Sequence, residues 1–343
     1  MNPRPTNLPT YSVVIRTLGT GGEKYAQLIQ SIKNQKLQPI EVMVFIPEGY
    51  DLPESKLGWE QFIRSPKGMM TQRVFGAEYA DKHSKADYLL LLDDDISFEP
   101  DFAEKAMEFL SQSNHDMLSP ASIKEDGSFY IYNLFSPFNI ASSLLGRKYE
   151  TRKKGWRNKI SKAGGFINNS KLTDEPVLTE SGNGQCSFLK KGVATPCKLT
   201  DELWIDASGY SLPDDQIFFY KIFINGFSLS YNPLIKYRHL DNGSNSPQRK
   251  IKNAYAHGRN FLIFWHRFLY SEAPKGWKRW WLKCRIGHRL WANYFYFMVR
   301  TILPGGKGLL NSYRNGWTDA KKYINSNEYK ALSPVLLFPN VNK

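Results

Sequence analysis

The sequence predicts the α/β class: a mostly parallel sheet flanked by helices, continued by a C-terminal helical extension. Three observations carry this. Short apolar runs alternate with segments of helical spacing through the first third of the chain, as in successive βαβ units. One run, Tyr88-Leu89-Leu90-Leu91-Leu92, is unbroken and reads as a strand buried on both faces; it ends on Asp93-Asp94-Asp95. Beyond residue 241, bases and aromatics interleave at helical spacing.

The elements follow in order. Tyr11 to Ile15 is a first strand, Arg16 to Gly22 a glycine-rich turn, and Glu23 to Gln35 a helix through Tyr25, Leu28, Ile29 and Ile32. Ile40 to Ile46 is a second strand, closed by the turn Pro47-Glu48-Gly49, and Phe62 to Arg64 a short third. Gly68 to Lys82 is helical and leads into the strand that ends at the aspartates. Phe102 to Leu110 is a further helix and Met117 to Pro120 a further strand. From about 125 to 180 the pattern weakens and Arg147, Lys148, Arg152, Lys153, Lys154, Arg157, Lys159 and Lys162 crowd together, either a solvated insertion or a loop that closes on an anion. Gln185 to Leu189, Phe227 to Tyr231 and Ile235 to His239 are strands, and Asp214 to Ile224 is a helix. The expected division is a sheet domain over 1–240, with one half at 11–124 and another at 180–240 on either side of the basic insertion, and an extension over 241–343.

The chain has 343 residues and is 41% hydrophobic, enough for a sizeable core. Its net charge of +14 points to anionic partners: nucleic acid, an anionic membrane surface, or a phosphorylated substrate. The three cysteines, Cys186, Cys197 and Cys284, lack CxxC spacing and suit a reducing compartment. Residues 1–10 contain no apolar stretch of the signal-peptide kind. The expected location is cytoplasmic, with peripheral attachment to the inner face of the cell membrane. That attachment is suggested by Trp277, Trp280, Trp281, Trp291 and their basic neighbours. The competing reading packs the same aromatics on the sheet domain.

Three carboxylates at a strand tip repel one another and lose hydration, and a divalent cation relieves both costs. The crevice beyond the carboxyl ends of such strands is also where open α/β sheets bind ligands. Alternate residues of an extended segment point the same way. Asp93 and Asp95 therefore form a pair, one holding Mg2+ or Mn2+ and the other contacting the ligand or a metal-bound water. The plain alternative is a solvated turn or a helix cap. Asp214-Asp215 opens a helix, which suits ordinary capping or a general base that accepts a hydroxyl proton. Trp204 suits either stacking on a ligand or core packing.

The stretch Lys67-Gly68-Met69-Met70-Thr71-Gln72-Arg73-Val74-Phe75-Gly76, followed after a short spacer by Leu-Leu-Leu-Leu-Asp-Asp-Asp and Pro100, resembles the family 2 glycosyltransferases. Their pattern is a glycine, an arginine usually followed by asparagine, a glycine, and a strand ending in Asp-x-Asp. Arg73 and Gly76 fit; Val74 stands at the asparagine position, and Arg16 where proline is usual in the first strand. A second block, Glu202 to Asp206 and then Gly209 to Gln216, resembles the acceptor-side segment, with Asp-Asp in place of the commoner Glu-Asp. The resemblance spans roughly residues 11–265. It implies a GT-A-type, Rossmann-like sheet and inverting transfer from a nucleotide-sugar, a UDP-sugar being favoured. It further implies donor contacts at Thr17, Arg73, Asp93, Asp94 and Glu48, the last as the nearest candidate to hold the base. A metal would sit at Asp95, Asp93 and His239, the base would be Asp215 assisted by Asp214, and Trp204 would meet the acceptor. Arg259 would pack within the domain or meet a phosphate.

The reading is thus a metal-assisted glycosyltransferase acting on a hydroxyl of a glycan or lipid-linked acceptor in cell-surface polysaccharide synthesis. A sugar-nucleotide nucleotidyltransferase would show a richer glycine loop with a catalytic base after the first strand. A nucleic-acid-binding protein would need no acidic cluster, and no nucleic acid is expected as a partner.

Overall fold

The computed structural model describes residues 8–124, 127, 155–168, 175–240 and 246–337. Most of the basic segment, including Arg147, Lys148, Arg152, Lys153 and Lys154, lies outside the described residues. Strands β1 (Tyr11–Arg16), β2 (Glu41–Pro47), β3 (Gln61–Ser65) and β4 (Tyr88–Asp93) pair in parallel in the order β3-β2-β1-β4. The sheet continues through β10 (Cys186–Lys190), β6 (Met117–Ile123), β11 (Leu229–His239) and the short β5 (Ile96–Phe98). β10 lies antiparallel between β4 and β6, and β6 pairs in parallel with β11. The sheet is therefore mostly parallel: β1, β2, β3, β4, β6 and β11 run one way, against β10, β5 and the two-residue β9 (Val177–Leu178). A separate hairpin joins β7 (Asn158–Ile160) and β8 (Phe166–Asn168).

Along β4 the leucines alternate between two cores, as a doubly buried strand requires. Leu89 and Leu91 pack with Val14 and Phe45 on one face; Leu90 and Leu92 pack with Val13 and Ile15 on the other. All four are at most 5% exposed, and each contributes about 1.5–3 kcal/mol. The second face is covered by α1 (Gly22–Lys33) and α3 (Phe102–Ser113), through Leu28, Ile29, Phe102 and Met107. The first is covered by α2 (Met69–His83) and α4 (Asp214–Ile224), through Met70, Val74, Ile217 and Phe218. At Gly76 a Cβ would stand 3.2 Å from Val14 and 3.3 Å from Phe45, so a glycine lets α2 lie close on the sheet.

Two features differ from the sequence reading. The segments expected as separate strands at 227–231 and 235–239 are one strand, β11, interrupted between Asn232 and Lys236. Pro233 cannot donate to the ladder, and the Asn232 side chain accepts from Leu234 N at 2.9 Å, which bulges the strand without ending it. The block 199–208, read for its acidic residues and Trp204 and given no secondary structure, is a 3-10 helix (Leu199–Ser208).

The C-terminal part is helical, as expected. α5 (Pro247–Trp265) starts with Ser246 accepting from Arg249 N at 3.2 Å and with proline in its first turn. A π-helical turn (His266–Tyr270) follows, then α6 (Trp277–Ile302), α7 (Leu309–Ile324) and α8 (Asn327–Lys330). Leu262, Ile263, Phe264 and Trp265 of α5 enter the core on the first face of the sheet. α5 and α7 touch backbone to backbone. A Cβ on Gly258 would fall 2.2 Å from Tyr313 O, and one on Gly316 2.2 Å from Tyr255 O. Among the described residues, no helix is long and apolar enough to cross a membrane.

A fully buried ion cluster ties these layers together. Glu202 Oε1 accepts from Lys221 Nζ at 2.7 Å and Arg267 Nη2 at 2.8 Å; its Oε2 accepts from Arg267 Nε at 2.7 Å and the Trp204 indole N–H at 2.8 Å. Burial alone would raise the Glu202 carboxyl, yet Lys221 and Arg267 hold it below the ordinary carboxylate value. A lowered folded-state pKa stabilises the protein above the unfolded value, and that stability is lost as pH falls through the folded one. Glu202→Gln should cost about 3 kcal/mol or more in urea unfolding at neutral pH, because two buried cations lose their counter-charge. The difference from wild type should shrink as the pH falls below about 4.

Candidate active site

β1 and β4 are neighbours in register, with Arg16 opposite Asp93. The Arg16 guanidinium grips both oxygens of Asp93: Nε meets Oδ1 in a short contact and Nη2 meets Oδ2 at 2.9 Å, while Nη1 donates to Met69 O at 2.7 Å. Burial would raise the Asp93 carboxyl, but Arg16, with help from Arg73 and His239, holds it below its usual range. Asp94 turns toward β1, where Thr17 Oγ1 donates to it at 2.5 Å. Burial, reinforced by repulsion from Asp93 and Asp95, pushes Asp94 up to about 6 despite the Thr17 bond. Asp95 meets the end of β11: the antiparallel pairing of β11 with β5 sets His239 opposite Ile96 and brings its Nε2 within 3.2 Å of Asp95 Oδ2. Asp95 Oδ1 is buried without a hydrogen-bond partner.

A second cluster lies under α2 and α4. Arg73, 7% exposed, places Nη1 2.6 Å from Asp214 Oδ2 and 3.0 Å from Asp215 Oδ1. Both aspartates occupy the first turn of α4, where the helix dipole favours negative charge. Their environments differ. The Asp214 side chain is 9% exposed and that of Asp215 37%. Burial pushes the Asp214 carboxyl up, Arg73 opposes this, and the neighbouring Asp215 adds to it.

The segment 182–185 joins the two clusters. Gln185 O accepts from Asp93 N at 2.9 Å, and the Gln185 side chain lies 3.2 Å from His239 Nε2 and accepts from Tyr237 Oη at 3.0 Å. Gly184 passes so close to the other cluster that a Cβ there would stand 2.2 Å from both Arg73 Nη2 and Asp215 Oδ1. The mouth of α2 is set by a distant residue. Asp206 accepts from Met70 N at 3.0 Å, from Thr71 N at 2.8 Å and from Thr71 Oγ1 at 2.7 Å. Gly68 adopts a φ of 151° against it, and a Cβ would come 2.3 Å from Asp206 Oδ2. The cleft beside these residues has a volume of about 530 Å3 and is lined by Thr17, Lys24, Lys67 and the three aspartates.

Thr17, Asp93, Asp94, Asp95 and His239 thus come together with Arg73, Asp214 and Asp215. Of the three expected metal ligands, Asp95 and His239 are side by side, whereas Asp93 is committed to Arg16. Among the described residues, no group of three or more His, Cys, Asp or Glu side chains is arranged to hold a metal ion. The orphaned Oδ1 of Asp95 next to an imidazole fits a hard divalent cation that keeps waters and ligand oxygens for its other positions. Glu48, expected to hold the base, is exposed at the end of β2 and is not among the residues lining this cleft. Trp204, expected to meet the acceptor, is 5% exposed and bonded to Glu202, so the core takes it instead of the cleft. Arg259 is also structural: it donates to Trp204 O at 3.1 Å and lies 5.4 Å from the Tyr323 ring.

Three participants escaped the sequence reading. Asp206 is separated from the helix it caps by more than a hundred positions, so no local spacing marks it. Gln185 stands at the start of a strand and reads there as an ordinary polar residue. Gly182-Asn183-Gly184 did carry a signal, since a paired glycine before a buried strand marks a close backbone approach.

Asp94 generates a pH prediction. A carboxyl whose folded pKa is raised contributes stability below its unfolded pKa, and that contribution is lost as pH rises through the folded one. Wild type should therefore lose stability as pH passes about 6. Asp94→Asn should flatten this slope, read as the difference in melting temperature between about pH 5 and about pH 8.

A comparison with curated protein sequences finds no match. Among solved structures, the chain is similar to GalNAc-T7 with UDP, GalNAc and Mn2+, at 16% identity and a TM-score of 0.47. That alignment covers 83% of this chain and 55% of the other, so the chain spans little more than half of that protein. It is also similar to the mannosyltransferase PcManGT from Pyrobaculum calidifontis in complex with GDP-Man and Mn2+, at 13% identity and a TM-score of 0.48, covering 94% of this chain and 86% of the other. Residues 61–175 match the family model described as glycosyl transferase family 2. The matched segment contains Arg73 and all three aspartates of the β4 tip.

Proposed function

We propose that the protein transfers a glycosyl group, with inversion, from a nucleotide-sugar to a hydroxyl of a glycan or lipid-linked acceptor in cell-surface polysaccharide synthesis. The observation that supports this best is the meeting of two acidic clusters, Asp93–Asp95 and Asp214–Asp215, across the Gly182–Gln185 segment. One end suits an anionic leaving group and the other suits an incoming alcohol.

Asp215 is the base. It is the more exposed of the α4 pair, so it can reach an acceptor hydroxyl and take its proton. Arg73 fixes the carboxylate by holding Oδ1 at 3.0 Å, and Asp214 beneath fixes Arg73. At the donor end, Thr17 and Asp94 form one wall, and Lys24 and Lys67 bring positive charge to the cleft. Arg16 neutralises Asp93, which lowers the repulsion that three bare carboxylates would offer a diphosphate. Asp95 and His239 would hold Mg2+ or Mn2+, which when bound stabilises negative charge on a departing nucleoside diphosphate. The donor is expected to be a UDP-sugar and the chain to work on the cytoplasmic face of the membrane.

Release of nucleoside diphosphate from a panel of nucleotide-sugars with Mn2+ tests the reading; no release with any donor would overturn it. Asp215→Asn should lower kcat by about 100- to 10,000-fold while leaving the melting temperature near wild type. Full activity in that variant would remove Asp215 as the base. Gly184→Ala, which drives a methyl group into Arg73 and Asp215, should lower kcat in the same assay without abolishing donor binding.

A further inference from the structure

The α6 helix carries an apolar face that its own fold does not cover. Ile286, Leu290, Asn293 and Phe297 are buried, and the helix is fixed from that side: Tyr313 Oη donates to Leu290 O at 2.9 Å and Arg289 Nη1 to Ala163 O at 2.9 Å. The opposite face presents Trp277 at 70% exposure, Trp281 at 40%, Trp291 at 54%, Phe295 at 51% and Ile302 at 81%. At 100° per residue these positions fall within an arc of roughly 80°, so they form one continuous stripe along the helix. A surface helix ordinarily turns such a stripe inward, and a large exposed aromatic patch marks an interaction site.

Charge selects the occupant. Between Asp241 and Asp319 the sequence contains one acid, Glu272. Lys275, Lys278, Lys283 and Lys307 are exposed around the stripe. The chain as a whole carries +14. A second copy docking through the same stripe would set these like charges together. A bilayer with anionic headgroups complements them, and tryptophan suits the headgroup layer. No described helix can cross a membrane, which leaves α6 to lie in the plane of the surface.

We propose that α6 is an in-plane membrane anchor that inserts its Trp277–Ile302 stripe into the headgroup layer of anionic phospholipid. This deepens the proposed function by naming the surface on which a lipid-linked acceptor would be met, and rests on that reading only for the acceptor. Binding itself requires no transfer.

Cys284 provides a built-in reporter: it is exposed on the same stripe, whereas Cys186 and Cys197 are buried. The full chain, labelled at Cys284 with an environment-sensitive fluorophore, is mixed with vesicles of equal parts phosphatidylcholine and phosphatidylglycerol, or of phosphatidylcholine alone. The proposal expects co-sedimentation with the anionic vesicles, weaker binding to the neutral ones, and a blue shift of the probe. The double variant Trp291→Gln/Ile302→Gln should lower partitioning about tenfold or more with an unchanged thermal melt. A charge variant, Lys278→Glu/Lys283→Glu, should do the same on anionic vesicles only. No sedimentation with either vesicle overturns the proposal. So does a concentration-dependent dimer that Trp291→Gln dissociates and that leaves vesicles untouched. Nucleoside diphosphate release in detergent-free solution is measured in parallel. Release without vesicle binding sinks the anchor alone, and vesicle binding without release sinks the transferase reading alone.

Discussion

Arg73 is the side chain that ties helix α2 to the acidic pair at the start of α4. It belongs to α2, within the segment that matches the glycosyl transferase family, and its guanidinium lies between the first two residues of α4. Without it, Asp214 and Asp215 would be adjacent carboxylates, one of them buried, with only a helix N-terminus to offset their charge. With it, the start of α4 is pinned to α2 while the Asp215 carboxylate stays partly exposed. The same device recurs at three acids: Arg16 on Asp93, Arg73 on Asp214, and Lys221 with Arg267 on Glu202. A strongly basic chain thus spends part of its excess cation on holding acids inside.

The strand order explains why the acids converge. The parallel strands β1 and β4 point their carboxyl ends the same way, so Arg16, Thr17 and the three aspartates emerge at one edge. β10 enters antiparallel beside β4, and the chain therefore arrives at that edge through Gly182–Gln185 before running back down the sheet. This short segment meets Asp93, His239 and Tyr237 through Gln185 and Arg73 and Asp215 through Gly184, and its two glycines leave no room for a side chain. At Gly182 a Cβ would come 2.5 Å from Ser119 Oγ and 2.6 Å from Phe219.

The C-terminal helices serve the same geometry from behind. Arg267, in the turn after α5, reaches Glu202 in the 3-10 helix and also donates to Ser333 O at 3.1 Å. Asn225, at the end of α4, bonds Val335 O at 2.9 Å and receives Leu337 N at 2.7 Å. The tail thereby clamps the helix whose other end carries Asp214 and Asp215. Asn260 of α5 holds the loop just before that end through Ser208 Oγ, Tyr210 O and Leu212 O. The helical layer thus buries α5 side chains in the core under the sheet and leaves an aromatic stripe exposed on α6.

Alternation and local chemistry determined a good deal by themselves. The apolar run of β4, the helix that begins at Asp214, the mostly parallel sheet and the helical C-terminus were legible because each depends on spacing within a few turns of chain. The acids of the site were legible too, since three carboxylates after five apolar residues and a paired acid at a helix start are locally unusual. What the tertiary structure alone decided is which partner each side chain would find. Asp93 is placed opposite Arg16 by strand register, Trp204 is turned into the core by Glu202, Asp206 caps a helix far from it in sequence, and β11 remains one strand across its bulge. These outcomes depend on contacts between distant stretches, and a sequence records the residues available for such contacts but not the pairing that burial and charge select.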